Sequence, residues 1–483
     1  SFDSSGSNQP RTLIMGDGTW TVTGNNRTVW ATGYTDATFA FVRGNPVLLG
    51  YSGSIGTRTI STSGIEERTP DFRVSGGTDT VTITGVLSPP TVRHLDFTGF
   101  GGTLSNTVFR VYGNLTLSST MTLTGGSNAV TFASSSGANI LTTNGKSLGF
   151  PLIINGSGVT LAGNLALPVS SLTLTKGTFD ANGYNVTVSS FSSTNTNPRT
   201  IIMGSGTWRV LPLTTSTVWN TATTTNLTLV RGSNPITFSA NYAAGTTLTA
   251  TFSLGALPAS QAPSLNIKST GGTVTVAVTG AANDLDFTSD GVSGYVGTLS
   301  NGARTVYGNL TLSTGMTLAA GTSATTMAST SGTTTITTNG RTLDFPFTFN
   351  GVGGTWQLGD DLTVSSTRAL TLTNGTLDAN GKNVSMGLFS STNSNARTLV
   401  MGSGTWRLTG NATTVWNTAV ATNFTLNRGN PVLLTYTGST GTRTIFAGTS
   451  GTSGTEANSP DFSITGGTDG VSFTNNSKIR HLD

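Results

Sequence analysis

Short runs of alternating apolar and polar residues recur along the whole chain. Leu115-Thr-Leu117, Met121-Thr-Leu123, Leu172-Thr-Leu174 and Val186-Thr-Val188 each place apolar side chains on one face and Thr on the other. That is the period-2 pattern of a half-buried strand, and β-branched Thr, Val and Ile suit its pleated surface. Between the runs stand Asn-Gly dipeptides that begin at Asn144, Asn155, Asn182, Asn339, Asn350, Asn374 and Asn380. Both residues tolerate positive φ, so these pairs are predicted to be tight corners. Leu370-Thr-Leu-Thr-Asn-Gly-Thr-Leu-Asp-Ala-Asn-Gly-Lys-Asn-Val384 compresses the rhythm into three very short strands separated by two corners.

This pattern predicts an all-β fold, an elongated parallel β-solenoid (β-helix) with roughly 20–25 residues per coil. Apolar residues would fill a narrow core, and since no coil can bury its own face, stability would come from stacking. Tandem immunoglobulin-like β-sandwiches are the competing all-β reading. They would show strands of about 5–6 residues and Greek-key spacing, whereas the runs here are shorter and the corners denser. No window carries apolar residues at helical spacing, which excludes helical and α/β classes.

A long internal repeat sharpens the prediction. Arg11-Thr-Leu-Ile-Met-Gly-Asp-Gly-Thr-Trp20 returns as Arg199-Thr-Ile-Ile-Met-Gly-Ser-Gly-Thr-Trp208 and as Arg397-Thr-Leu-Val-Met-Gly-Ser-Gly-Thr-Trp406. A second Trp follows each time, at Trp30, Trp219 and Trp416, and then Arg43-Gly-Asn-Pro46, Arg231-Gly-Ser-Asn-Pro235 and Arg428-Gly-Asn-Pro431. Leu95-Asp-Phe97 matches Leu285-Asp-Phe287, and Tyr112-Gly-Asn-Leu-Thr-Leu-Ser118 matches Tyr307-Gly-Asn-Leu-Thr-Leu-Ser313. The period is about 195 residues. It defines repeat 1 at 1–189, repeat 2 at 190–387 and a partial repeat 3 at 388–483. Because repeat 3 stops partway, the chain is expected to be a window on a longer polypeptide.

Composition mainly removes alternatives. Gly accounts for 63 of 483 residues and charged residues for 9%, against about 25% charged in ordinary proteins. The glutamates are Glu66, Glu67 and Glu456. A hydrophobic share of 35% suffices for a core and argues against disorder. The net charge of +4 is spread thinly, with no Lys/Arg cluster of the kind that tracks phosphates, so no nucleic-acid partner is expected. Cysteine is absent, which removes disulfides and thiolate metal sites. No apolar run approaches the roughly 18 residues of a membrane span.

Candidate chemistry is sparse. His94 and His481 occupy one repeat position, where repeat 2 carries Asp284, so they are read as surface turn residues. The acidic pairs Glu66-Glu67 and Asp360-Asp361 each occur in a single repeat, and Asp284 and Asp286 are matched by His94 and Asp96. None forms the recurring acid–base pair that glycoside hydrolysis requires. Gly76-Gly-Thr-Asp79 and Gly466-Gly-Thr-Asp469 hint at calcium turns, but repeat 2 reads Gly271-Gly-Thr-Val274. No catalytic residue, metal or cofactor is therefore expected. Asn114-Leu-Thr116 and Asn309-Leu-Thr311 are sequons of the kind this composition yields by chance. The Trp pairs Trp20/Trp30, Trp208/Trp219 and Trp406/Trp416 are read as buried structural wedges in preference to sugar-stacking platforms. Arg11, Arg199 and Arg397 are expected to snorkel along apolar surface.

The Gly/Thr/Ser/Asn-rich repeats, with their Leu-Thr-Leu-Thr-Asn-Gly-Thr-Leu-Asp-Ala-Asn-Gly and Met-Gly-Ser-Gly-Thr-Trp segments, resemble the repetitive β-solenoid fibre proteins of phage tail fibres and bacterial surface adhesins. The resemblance spans essentially the whole chain and rests on composition and repeat style. It implies an extracellular, non-catalytic structural protein: the shaft of a fibre or filament on a virion or cell surface. Self-association or continuation into a longer fibre would supply its partner. The alternative is an adhesin or receptor-binding fibre that recognises surface glycans.

Overall fold

The computed structural model describes residues 1–5, 9–32, 39–62, 64–85, 89–105, 107–243, 245–288, 294–411, 413–447, 456–474 and 477–483. They pack as two compact units, Ser1–Ile236 and Thr237–Asp483. This division falls inside repeat 2.

Each unit is a parallel β-solenoid. In the N-terminal unit the inward column Val47, Phe72, Leu95, Leu115, Leu141 and Leu161 places each residue in register with the next, one coil further along. A second column runs Val92, Val111, Phe132, Ile154 and Leu174. All eleven side chains are buried. In the C-terminal unit Leu265, Leu285, Leu310, Ile336 and Leu358 form the column that corresponds to Leu95–Leu161. Another runs Leu362, Val384, Trp406, Val432 and Phe462. Burying a Leu, Val or Phe side chain contributes about 1.5–3 kcal/mol, so stacking supplies the stability that a single coil lacks. Immunoglobulin-like sandwiches are built from antiparallel sheets, and the parallel ladders rule that alternative out.

Alternation sets which face goes inward. Thr80–Thr84 and Thr247–Ser253 bury every second residue, and the intervening Thr side chains coat the outside. Coil length varies more than the sequence suggests. Leu95 meets Leu115, 20 residues on, whereas Val432 meets Phe462, 30 residues on. The corners also differ from expectation. Asn144, Asn182, Asn339 and Asn380 adopt φ of 48–51° and turn the chain. Asn155, Asn350 and Asn374 instead lie inside the long strands Leu152–Leu161, Phe347–Leu358 and Ala369–Asp378, where the ladder shifts register. There the dipeptide kinks a strand without ending it. Among the described residues the helical elements are two 3-10 turns, Glu66–Arg68 and Glu456–Asn458, and no helix is long and apolar enough to cross a membrane.

Candidate functional site

The tryptophans face inward. Trp30, Trp208, Trp219, Trp406 and Trp416 are at most 1% exposed, which leaves no free face for a sugar; Trp20 is half-buried. The same aromatic stack recurs in each repeat: Phe2 on Trp30 at 4.4 Å, Phe191 on Trp219 at 4.5 Å and Phe389 on Trp416 at 4.5 Å. The other Trp of each pair donates its indole N–H to a carbonyl five residues back: Trp20 to Met15, Trp208 to Met203 and Trp406 to Met401, at 3.0–3.1 Å.

Two sequence motifs prove to be halves of one joint. In Met-Gly-x-Gly-Thr-Trp the first glycine has φ of 65–67°, at Gly16, Gly204 and Gly402. In Arg-Gly-(Ser)-Asn-Pro the glycine stacks directly on it. A Cβ at Gly44, Gly232 or Gly429 would enter the carbonyl oxygen of Gly16, Gly204 or Gly402 well inside van der Waals contact. The following Asn45, Asn234 and Asn430 donate to the carbonyls of Asp17, Ser205 and Ser403 at 2.6–2.8 Å.

Two of the arginines that open these strands, Arg199 and Arg397, do not snorkel. Both are buried, and their guanidinium groups donate to turn carbonyls, Arg199 to Thr223 at 2.8 Å and Arg397 to Val420 at 2.7 Å. Corner carbonyls facing the interior need donors, and the planar guanidinium supplies several at once. Arg11 is half-buried.

The Gly-Gly-Thr-Asp turns are committed to an ion pair. Asp79 takes two hydrogen bonds from Arg58, from Nε at 2.8 Å and Nη2 at 2.7 Å, and both side chains are fully buried. Asp469 and Arg443 repeat this at 2.9 and 2.7 Å. In repeat 2 both charges are gone. Val274 stands where Asp79 would, and Ala250 faces Val276 as Arg58 faces Val81. The strands there instead extend by the pairs Thr247–Thr273 and Leu248–Val274.

The histidine position has a job that its neighbours explain. His94 is a half-buried acceptor, not a free surface residue: the Asn114 N–H donates to its Nδ1 at 2.8 Å, and the Ile140 N–H donates to Asn114 Oδ1 at 2.9 Å. In repeat 2 the Asn309 N–H donates to Asp284 Oδ1, and the Thr335 N–H to Asn309 Oδ1, both at 2.8 Å. Imidazole and carboxylate thus perform one task, satisfying an N–H one coil further on. The bond fixes His94 with its proton on Nε2. Burial pushes His94 below the usual histidine range, and Arg93 and Arg43 reinforce this against the opposing pull of Asp71. His481 is exposed.

The acidic pairs do not converge on an acid–base site. Asp96 and Asp286 each cap a turn, receiving the N–H and hydroxyl of Thr98 or Thr288 at 2.6–2.8 Å. Asp360 accepts the Thr338 N–H at 2.7 Å and Asp361 the Asn383 N–H at 2.9 Å. Glu66 is a clasp. It accepts the Ser134 hydroxyl at 2.8 Å and both the N–H and hydroxyl of Ser135 at 2.7 Å, pinning its 3-10 turn to a flank 68 residues further along. Burial pushes its carboxyl up, but the Ser135 and Ser134 donors and Arg43 bring it below the ordinary glutamate range.

Between that turn and the flank lies an open groove of about 420 Å3, lined among others by Arg43, Glu67, Arg93, His94, Tyr112 and Asn114. Arg43 is spent on the carbonyls of Thr69 and Glu66. Arg93 lies 3.6 Å from Asp71. This groove was not legible in the sequence, because its walls come from positions 43 to 139 and meet only when coils stack. The clue was Glu456, which stands at Glu66's place before Pro-Asp-Phe.

Among the described residues, no group of three or more His, Asp or Glu side chains is placed to hold a metal ion. Comparison with protein families, with characterised proteins and with solved structures gives no match to this chain.

Proposed function

We propose that this chain belongs to the shaft of an extracellular fibre or filament, on a cell surface or a virion, and that its role is structural and not catalytic. The observation that carries the reading is that the most repeated motifs resolve into internal joints. The aromatic stack and the Gly-on-Gly contact both recur in all three repeats. Joints of this kind specify stacking, which a shaft needs in every repeat and a catalytic centre does not. Self-association or continued stacking supplies the partner. Electron microscopy of the purified native material tests this: thin unbranched rods are expected, and compact particles would overturn it. Polysaccharide depolymerase assays are expected to release no product.

A second reading, a fibre that also recognises surface glycans, is favoured by the polar groove beside His94, whose walls include Glu67 and Tyr112. It requires binding to be retained by the isolated chain, which a glycan array measures.

A further inference from the structure

We propose that the groove beneath the Glu66–Arg68 turn is a binding site for a neutral saccharide. The inference deepens the glycan-recognition reading and rests on it; the shaft reading stands or falls separately by microscopy.

The size is suitable. About 420 Å3 lies within the range of roughly 300–1,000 Å3 typical of small-ligand pockets. Its polar groups are only partly used. Among the described residues, exposed Glu67 has no bond to its carboxylate, the Tyr112 hydroxyl has no partner, and the Arg93 side chain has only the 3.6 Å approach to Asp71. With His94 Nδ1 occupied by the Asn114 N–H, the ring's Nε2–H remains as a further donor. The groove's lining therefore offers both donors and acceptors, which suits hydroxyl groups that both donate and accept. A carboxylate and a guanidinium in one groove can together take both hydroxyls of a vicinal diol.

Charge selects the class. Arg43 and Arg93 balance Glu66 and Glu67 in the groove's lining. The lining carries no net charge to draw in the carboxylate of a sialic or uronic acid, whereas a neutral sugar meets both signs without desolvating a charge of its own.

The coil itself does not require Glu67 or Arg93. Repeat 2 builds the same columns with Ser260 and Asn283 at the places of Glu67 and Arg93. Repeat 3 restores most of the frame. Arg428 donates to the Ser459 carbonyl at 2.8 Å as Arg43 does to Thr69, and Arg480 pairs with Asp461 at 2.6 Å as Arg93 approaches Asp71. Ala457 stands there in place of Glu67. Glu67, for which no bond within the described residues takes its carboxylate and which repeats 2 and 3 replace by Ser260 and Ala457, is left for something other than stacking.

The test is titration of the full chain with neutral oligosaccharides (glucose-, galactose- and mannose-terminated) and with sialylated and uronate-bearing ones, read by ligand-observed NMR. At least one neutral sugar is expected to bind. Loss of a hydrogen bond to a charged group is expected to weaken that binding about tenfold in Glu67→Gln and again in Arg93→Ala. The Glu67 carboxylate takes no bond among the described residues, so Glu67→Gln should keep the fold, and an unchanged circular dichroism spectrum checks this. Arg480→Ala should leave the binding unaltered. Preference for acidic glycans, or neutral binding indifferent to Glu67→Gln, would overturn the proposal while sparing the glycan reading. Failure of every glycan to bind would overturn both.

Discussion

At the residue scale the molecule substitutes one chemistry for another at fixed positions, and this makes individual roles testable. The buried Arg58–Asp79 pair and the apolar Ala250 and Val274 of repeat 2 are alternative solutions to one site. Removing one partner of a buried pair costs about 3–5 kcal/mol, whereas replacing both by apolar groups is often neutral. Asp79→Val alone is expected to lose that much stability in urea denaturation, and Arg58→Met with Asp79→Val to recover part of it, since Arg58 also donates to the Leu49 and Gly76 carbonyls. A double variant no better than the single one would refute the equivalence. His94 carries a pH prediction. It is harder to protonate when folded than when unfolded, so its contribution is complete above the ordinary histidine pKa of about 6.5 and lost as pH falls through the lower folded value. Wild-type stability should therefore decline between pH 7 and pH 5 more steeply than that of His94→Asp. Equal slopes would contradict the ladder role. The equivalence of His94 and Asp284 was visible in the sequence, but their task was not. Each accepts from a backbone N–H 20 or 25 residues further on, a partner that only stacking designates.

At the scale of elements, the repeated motifs act in pairs. Met-Gly-x-Gly-Thr-Trp and Arg-Gly-(Ser)-Asn-Pro read as separate turn signals, yet Gly429 lies directly on Gly402, with Asn430 bonded to Ser403. A methyl group at Gly429 must push two backbones apart. Gly429→Ala is expected to cost at least the roughly 1–3 kcal/mol of an overpacked core, measured as a fall in the urea midpoint. Gly18, around which the structure leaves open space, should accept Ala with little change. Trp416, stacked on Phe389 and edge-on to Phe462, should lose about 3–5 kcal/mol on truncation to Ala. Strand lengths were the less legible part. Asn-Gly at 144, 182, 339 and 380 does turn the chain, but at 374 the strand continues through it, because Phe347–Leu358 holds it on one side and Leu388–Ser390 and then Arg397–Val400 on the other. A dipeptide permits a corner, and the neighbouring coils decide whether one forms.

At the scale of the whole molecule, stability is a sum over neighbouring coils, so damage should stay local. In Trp416→Ala, hydrogen exchange is expected to quicken in the coils of Phe389, Ile445 and Phe462, which stack on that residue. The Leu95–Leu161 column should be unaffected. Uniform acceleration along the chain would show one cooperative unit instead. Fold class, parallel stacking and the three-fold recurrence of the Trp-bearing motif were determined by the sequence itself, since alternation, corners and repeats are local properties that any coil must state for itself. Tertiary structure alone decided which residues meet: Glu66 with Ser135, Asp79 with Arg58, and the walls of the groove from Arg43 to Asn139. Those partners lie 21 to 96 residues apart, and coil length varies from about 20 to 30 residues. No fixed period along the chain predicts their meeting. It depends on how many residues each corner absorbs, which is settled by the packing of the coils on either side.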